Sequence, residues 1–344
     1  MKPLIHVVAA SAALFLSTGV FAQTVSTSAT KAPQPPKTHG FYMKIAGGYF
    51  FSVSNGQFPN VGPYPPHDTR SSINTSTGVS TVISDKVLTG SYGAGARGGL
   101  SFGWNFNQYI GVEGTFNYFT SSKNLMTKQV TVAEGTSTVL GQVESHGYVH
   151  AVDFAPSIVM SPGFSKINPY VRFGVVVPLW GRLNIETAAS QTGHPAGTPA
   201  YIVSQTAITR HEQIKPNVTI GFQGALGLTF PLCHRFDLFV EAEYRNVPVY
   251  GKTKEVTAYD ENTNISNSQT GAPAATPIHR GLGDLSHAER YTDYVTTLDA
   301  SSNTPTGTSG ATTNYKDNTK ASNDLKSYIN IGGLGANVGV KFKF

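Results

Sequence analysis

The chain has 344 residues, 36 glycines, one cysteine, 13% charged residues and a formal charge of +5. Ordinary soluble domains carry about 25% charged residues, a lone cysteine excludes an intrachain disulfide framework, and so mild a charge gives no reason to expect a nucleic-acid partner. Beyond the N-terminal segment no apolar run approaches the ~18 residues that a membrane helix needs.

In chain order, Lys2 supplies a positive start, Leu4 to Val20 is apolar, and Val20-Phe21-Ala22 precedes Gln23. Small or short residues at these positions suit signal peptidase, so Met1 to Ala22 reads as a cleaved signal peptide. No cysteine follows the cleavage site, which argues against a lipoprotein. Residues 23–39 are rich in Thr, Ser and Pro and read as a flexible periplasmic leader.

From residue 40 to 344 the ruling pattern is period-two alternation in segments of about ten residues, the length of a tilted membrane strand. Eight segments are expected: Phe41 to Val53, Tyr92 to Phe106, Tyr109 to Ser121, Gly147 to Met160, Tyr170 to Ile185, Pro216 to Phe230, Phe236 to Tyr250 and Ser327 to Phe344. The connections at Asn107-Gln108, Ser161 to Pro169 and Pro231 to Arg235 are short. The others are long and polar, above all residues 251–326. Short turns on one rim and long loops on the other are the outer-membrane arrangement, and an even strand number returns both ends to the short-turn side.

The alternation also assigns faces. In the second segment Tyr92, Ala94, Ala96, Leu100, Phe102, Trp104 and Phe106 share the side facing lipid, opposite Arg97 and Ser101. A soluble sandwich alternates too. Aromatic residues near segment ends and a glycine-rich opposite face favour a closed barrel. The expected fold is therefore all-β, an eight-stranded antiparallel up-and-down transmembrane barrel with long extracellular loops.

The stretch Gly99-Leu-Ser-Phe-Gly-Trp-Asn-Phe-Asn-Gln-Tyr-Ile-Gly-Val-Glu-Gly-Thr-Phe-Asn-Tyr-Phe119 and the ending Gly339-Val-Lys-Phe-Lys-Phe344 resemble the small outer-membrane β-barrel proteins, the opacity-like and porin-like surface proteins. The resemblance implies a bacterial outer-membrane location. It also implies that Val340, Phe342 and Phe344 form the signal read by the barrel assembly machinery. The loops here are longer than the family's usual ones, and no peptidoglycan-binding segment is expected after the barrel.

The inward faces carry Lys44, Arg97, Arg172, Arg245, Lys341 and Lys343 together with Glu113, Asp153, Glu241 and Glu243. An eight-stranded bore is just wide enough for side chains to fill it, and buried charges persist only when paired. The expectation is an ion-paired plug, with Arg97 and Arg172 near Glu113 and Glu241. A charge-lined ion path, and hence a small porin, is the alternative. His146, His150 and His211-Glu212 stand in no recognisable catalytic or metal-ligand spacing, so neither an enzyme, a metal nor a cofactor is expected. Cys233 reads as a turn residue. The expected role is structural or surface-interactive, with adhesion as its sharpest form. Its partners are outer-membrane lipid, lipopolysaccharide and the assembly machinery, with host-surface molecules reached through the loops. Loops that bind nothing specific are the other reading.

Overall fold

The computed structural model describes residues 40–53, 55–309 and 312–344. The signal peptide and leader lie outside the described residues. Eight strands close into one barrel: β1 (Gly40–Phe51), β2 (Gly95–Asn105), β3 (Ile110–Ser121), β4 (Val139–Met160), β5 (Asn168–Gly193), β6 (Gly221–Pro231), β7 (Phe236–Asn246) and β8 (Leu334–Lys343). Each pairs antiparallel with the next, and β8 returns to β1 from Tyr42 opposite Lys343 to Phe51 opposite Leu334. Closure gives every strand in the ring a partner on both sides.

The short turns lie where expected. Asn107 closes the first by accepting hydrogen bonds from the backbone N–H of Tyr109 and Ile110, each at 2.8 Å. This is the local competition that makes Asn a turn residue. In the second turn the Asn168 side chain accepts from Phe164 N–H at 2.9 Å. Cys233 is exposed in the third.

The exterior is apolar in the pattern that alternation demands. Ile45, Leu100, Phe102, Phe116, Phe173, Leu226 and Val338 all face outward and are exposed. Phe41, Trp104, Tyr109, Phe236 and Phe344 cluster toward the short-turn end, and Tyr49, Tyr118, Trp180, Tyr250 and Tyr328 toward the other. On β1, Phe41 and Tyr49 are separated by a rise of roughly 20 Å for a tilt of about 40°, close to the height of an outer-membrane apolar band.

The long connections differ most from expectation. β4 and β5 have 22 and 26 residues, well past the length of the other barrel strands, and so run on beyond the barrel as a two-stranded ribbon. The strand Asn124–Ala133 pairs with β4, and His67–Ile73 runs parallel to it, with Ser80–Val87 beyond. On the other flank Ile202–Pro216 pairs with β5, and Pro248–Asn267 pairs with Ile202–Pro216 from Asn267 down to Gly251. Residues 251–326, expected as a long polar connection, hold the rest of the strand Pro248–Asn267 and the short strands Ile278–Gly281, Tyr291–Val295, Pro305–Ser309, Thr312–Tyr315 and Ser322–Leu325. The sequence between Leu282 and Tyr294 resolves into a 3₁₀ turn at Leu282–Asp284 and the helical turn His287–Arg290. The fold is thus a barrel topped by a sheet built from its own loops.

Tyr92 is a second departure. β2 begins only at Gly95, and Tyr92 is fully buried instead of facing lipid. Its ring packs on Phe58, with centroids 5.4 Å apart, because the first long connection folds back over the mouth of the barrel.

Candidate functional site

The bore of the barrel has two layers of opposite character. The lower layer is charged. Lys44 on β1 donates to Glu113 on β3 at 3.1 Å, and the Tyr42 hydroxyl donates to the same carboxylate at 2.9 Å. Across the bore, Arg172 on β5 pairs with Glu241 on β7 at 2.5 Å, and the Tyr170 hydroxyl donates to Glu241 at 2.9 Å. The two clusters are copies of one motif, a Tyr-x-cation on one strand reaching a Glu two strands on. In both, the tyrosine precedes its glutamate by 71 positions and the cation by 69. Gly103 and Gly227 face Tyr42 and Tyr170 across the sheet, and a Cβ at either would strike the ring.

Arg172 joins the copies, lying 3.8 Å from Glu113 and 3.4 Å from Glu243. One step higher, Arg245 holds Asp153 through two bonds of 3.0 Å and donates to Gln223, while its Nε lies 2.7 Å from Glu243. Asn337 donates to Glu243 at 2.7 Å, and Asn117 to Asp153 at 2.9 Å. At the short-turn end Lys343 pairs with Asp237 at 2.8 Å, and Lys341 Nζ sits 3.9 Å from the Tyr42 ring centre. Bidentate, hydrogen-bonded pairing is what allows charges to persist away from water.

Arg97 is a correction to the sequence expectation. Its guanidinium lies between the rings of Phe50 and Phe119, at 4.1 and 4.8 Å, and not beside Glu113 or Glu241. The register explains this. Arg97 is opposite Gly48 and Phe119, whereas the strand position level with Glu113 is Gly103. Among the described residues no hydrogen-bond partner is found for its Nε and Nη1.

Above Arg245 and Asp153 the bore turns apolar. Ala151 and Val149 follow Asp153 up β4, Val176 follows Arg172 up β5, and Val247 and Val249 follow Arg245. They join Tyr92, Met126, Phe58 and Ile331 in one buried cluster across the mouth. On β5 a bulge between Pro178 and Trp180 inverts the alternation, so that Leu183 and Ile185 turn inward and extend this cluster upward. The sequence reading missed this layer. Its signal is the alternate apolar run Val247-x-Val249 continuing the inward positions of Arg245. The tyrosines were missed too, although the spacing Tyr-x-Lys at 42–44 recurs as Tyr-x-Arg at 170–172.

The extension has polar joints of its own. Glu289 binds Arg280 through two contacts of 2.9 Å, accepts from Thr313 N–H at 3.0 Å, and caps the turn that Ser286 opens. Glu212 is buried between Arg210 and Lys254, at 2.9 and 3.1 Å. Burial pushes the Glu289 carboxyl up, but Arg280 and the N–H groups of Ser286 and Thr313 outweigh it and hold the carboxyl below its ordinary value. A depressed folded pKa gives stability that is full above the unfolded value of about 4.3 and is lost as pH falls through the folded one. Acidification below about pH 4 is therefore expected to expose residues 278–325 to pepsin-like cleavage while the barrel stays closed. Glu289→Gln should bring the same exposure at neutral pH, at a cost of about 1–3 kcal/mol. Equal protection of variant and wild type at pH 7 in limited proteolysis would refute this.

The residues read as an assembly signal lie on the closing strand. Val340 is exposed to the outside, Phe342 packs on Phe236 at 5.1 Å, and Phe344 packs on Phe41 at 5.4 Å. Among the described residues no cluster of three or more metal-binding side chains is found. No protein-family model matches the chain, and no curated protein matches it. A solved structure described as in-vitro folded OmpT, an outer membrane protein of Vibrio cholerae in its trimer form, aligns over 90% of this chain and 99% of its own at 10% identity, with a TM-score of 0.09. At that score the likeness decides nothing about fold or role.

Proposed function

We propose that this is an outer-membrane surface protein in which a sealed barrel holds up a folded β extension for contact with molecules outside the cell. The observation that carries the reading is the inversion of polarity: apolar and aromatic side chains cover the outside of the barrel, and ion pairs fill the inside. In water that arrangement is unfavourable. In a bilayer it is the stable one, because closed pairing satisfies the backbone and lipid covers the apolar belt. The family's location in the outer membrane, recognition of Val340, Phe342 and Phe344 by the assembly machinery, and lipid and lipopolysaccharide as surroundings all belong to this reading.

The seal rests on both layers. An ion crossing the bore would have to break the Arg172–Glu241 and Arg245–Asp153 pairs and then pass the layer formed by Val149, Val176, Val247 and Ile331. A dry apolar constriction blocks ions by itself. Purified protein in a planar bilayer is expected to give no steady current. A large, steady conductance would overturn the plug and favour a small porin. Adhesion through the extension is tested by removing residues 278–322, which spares the strand Pro248–Asn267 and its pairing with Ile202–Pro216. Host-cell binding by expressing bacteria is expected to fall while the barrel still shows heat-modifiable migration. Unchanged binding would count against the extension as the adhesive element.

A further inference from the structure

The barrel wall is interrupted at one place. β5 pairs with β6 only as far as Val176 opposite Gly221, and with Ile202–Pro216 only from Leu183 opposite Ile214. Between these limits, residues 177–182 have no ladder partner on that side among the described residues. The facing residues 217–220 are not strand. Prolines bound the gap: Pro178 on β5, Pro216 below Ile214, and Pro248 at the start of the strand that follows β7. Lacking an N–H, proline ends pairing where it stands.

The gap is lined in two ways. Its wall is apolar, with Val218 90% exposed and Ile220, Leu179 and Trp180 also exposed. Behind Pro178 and Gly181 lies a small apolar cavity of about 30 Å³, closed off by Val149, Leu183, Ile214 and Ile331. Its upper rim is cationic. Arg182 lies 5.5 Å from the Trp180 ring centre and donates through Nη1 to the carbonyl of Gly181. The register that pairs Leu183 with Ile214 brings Arg182 opposite Lys215 when carried one residue on. Lys215 in turn is opposite Thr253, and Lys252 is the extra residue of the bulge between Gly251 and Thr253. Lys215 and Lys252 are exposed. The neighbouring carboxylates on that flank include Asp293, opposite Thr253, and Glu255, which pairs with Arg290 at 3.4 Å, while Glu186 is held by Lys123 at 2.6 Å. The rim therefore keeps an excess of positive charge, at the level of Trp180 and Tyr250 and on the long-loop side.

We propose that this gap is a binding site for one molecule of diphosphorylated lipid A, with acyl chains laid over Val218, Ile220 and Leu179 and a chain end at the small cavity. Arg182, Lys215 and Lys252 bind its phosphates. The site rests on the outer-membrane reading. The long-loop side then faces the outer leaflet, and phosphates lie at the height where the apolar belt ends.

The test is native mass spectrometry of the full-length mature protein in detergent, titrated with bisphosphoryl lipid A. Wild type is expected to take up one lipid. R182A/K215A/K252A is expected to bind it on the order of 100-fold more weakly, in keeping with three surface charges near a phosphorylated interface. Lys166→Ala, an exposed cation in a turn on the opposite rim, is expected to bind as wild type. Fully dephosphorylated lipid A should bind wild type as weakly as bisphosphoryl lipid A binds the triple variant. Equal binding by wild type and triple variant, equal binding of the dephosphorylated lipid, or equally tight phosphatidylglycerol would each overturn the proposal. Heat-modifiable migration of every protein is recorded alongside. Its loss in wild type would refute the barrel reading, whereas its retention with equal lipid binding would refute the site alone.

Discussion

Replacing Arg172 by Met is expected to lower the unfolding free energy of the barrel by about 3–5 kcal/mol, the usual cost of stranding a buried charge. Arg172 is bonded to Glu241 and lies within 4 Å of both Glu113 and Glu243, so its loss leaves a cluster of buried carboxylates short of counter-charge. Lys44 still serves Glu113, and Arg245 still serves Glu243. Glu241 keeps only neutral donors, the Tyr170 hydroxyl and the Asn337 amide. Adding Glu241→Leu to the variant should recover much of the loss, since an apolar pair of similar volume often serves as well as a buried ion pair. Urea titration in detergent, followed by tryptophan fluorescence and by heat-modifiable migration, measures both. A single variant within 1 kcal/mol of wild type would mean that water fills the bore and screens these charges.

Leu226→Arg is expected to cost about 2–4 kcal/mol in a bilayer, because Leu226 stands midway along β6 on the outward face, 66% exposed. The same change at Val82, 62% exposed on the outlying strand Ser80–Val87, is expected to alter stability by less than about 0.5 kcal/mol, since on the proposed outer-membrane reading that strand lies in water. Almost equal exposure with unequal cost isolates lipid as the difference. Equal and small effects at the two sites, measured by folding into vesicles, would remove the membrane from the account.

Much of the barrel could be read from the chain because period-two alternation is local: Leu100, Phe102 and Trp104 declare one face and Arg97 and Ser101 the other without knowledge of any partner strand. The inward charges were legible for the same reason. Their pairing was not. Register decides it, and register set Arg97 against Phe119, away from the glutamates. The upper apolar layer was hidden because a single bulge at Leu179 reverses the parity of β5, and alternation read straight through puts Leu183 and Ile185 on the wrong side. The extension was hidden for a different reason. Its outermost strand buries nothing: all of Ser80–Val87 is exposed, so no alternation of buried and exposed positions marks it in the chain. Its order comes from pairing with β4 and β5, which only the assembled hairpin provides.

The unbroken run of β4 and β5 has a mechanical consequence. β5 continues past Trp180 to Gly193, and β4 stays bonded to it as far as Gly141 opposite Gln191, so the residues beyond the aromatic belt reach roughly 30–40 Å at ordinary strand rise. The one irregularity on the way is a bulge, and the β4 ladder resumes directly after it. A load applied at the tip is therefore carried along strands that are rooted in the ring itself. Pulling on it would strain many ladder hydrogen bonds in parallel before any loop could pay out. On the proposed surface role, a receptor held there would be kept at a fixed stand-off and orientation from the cell, as on a mast and not on a tether.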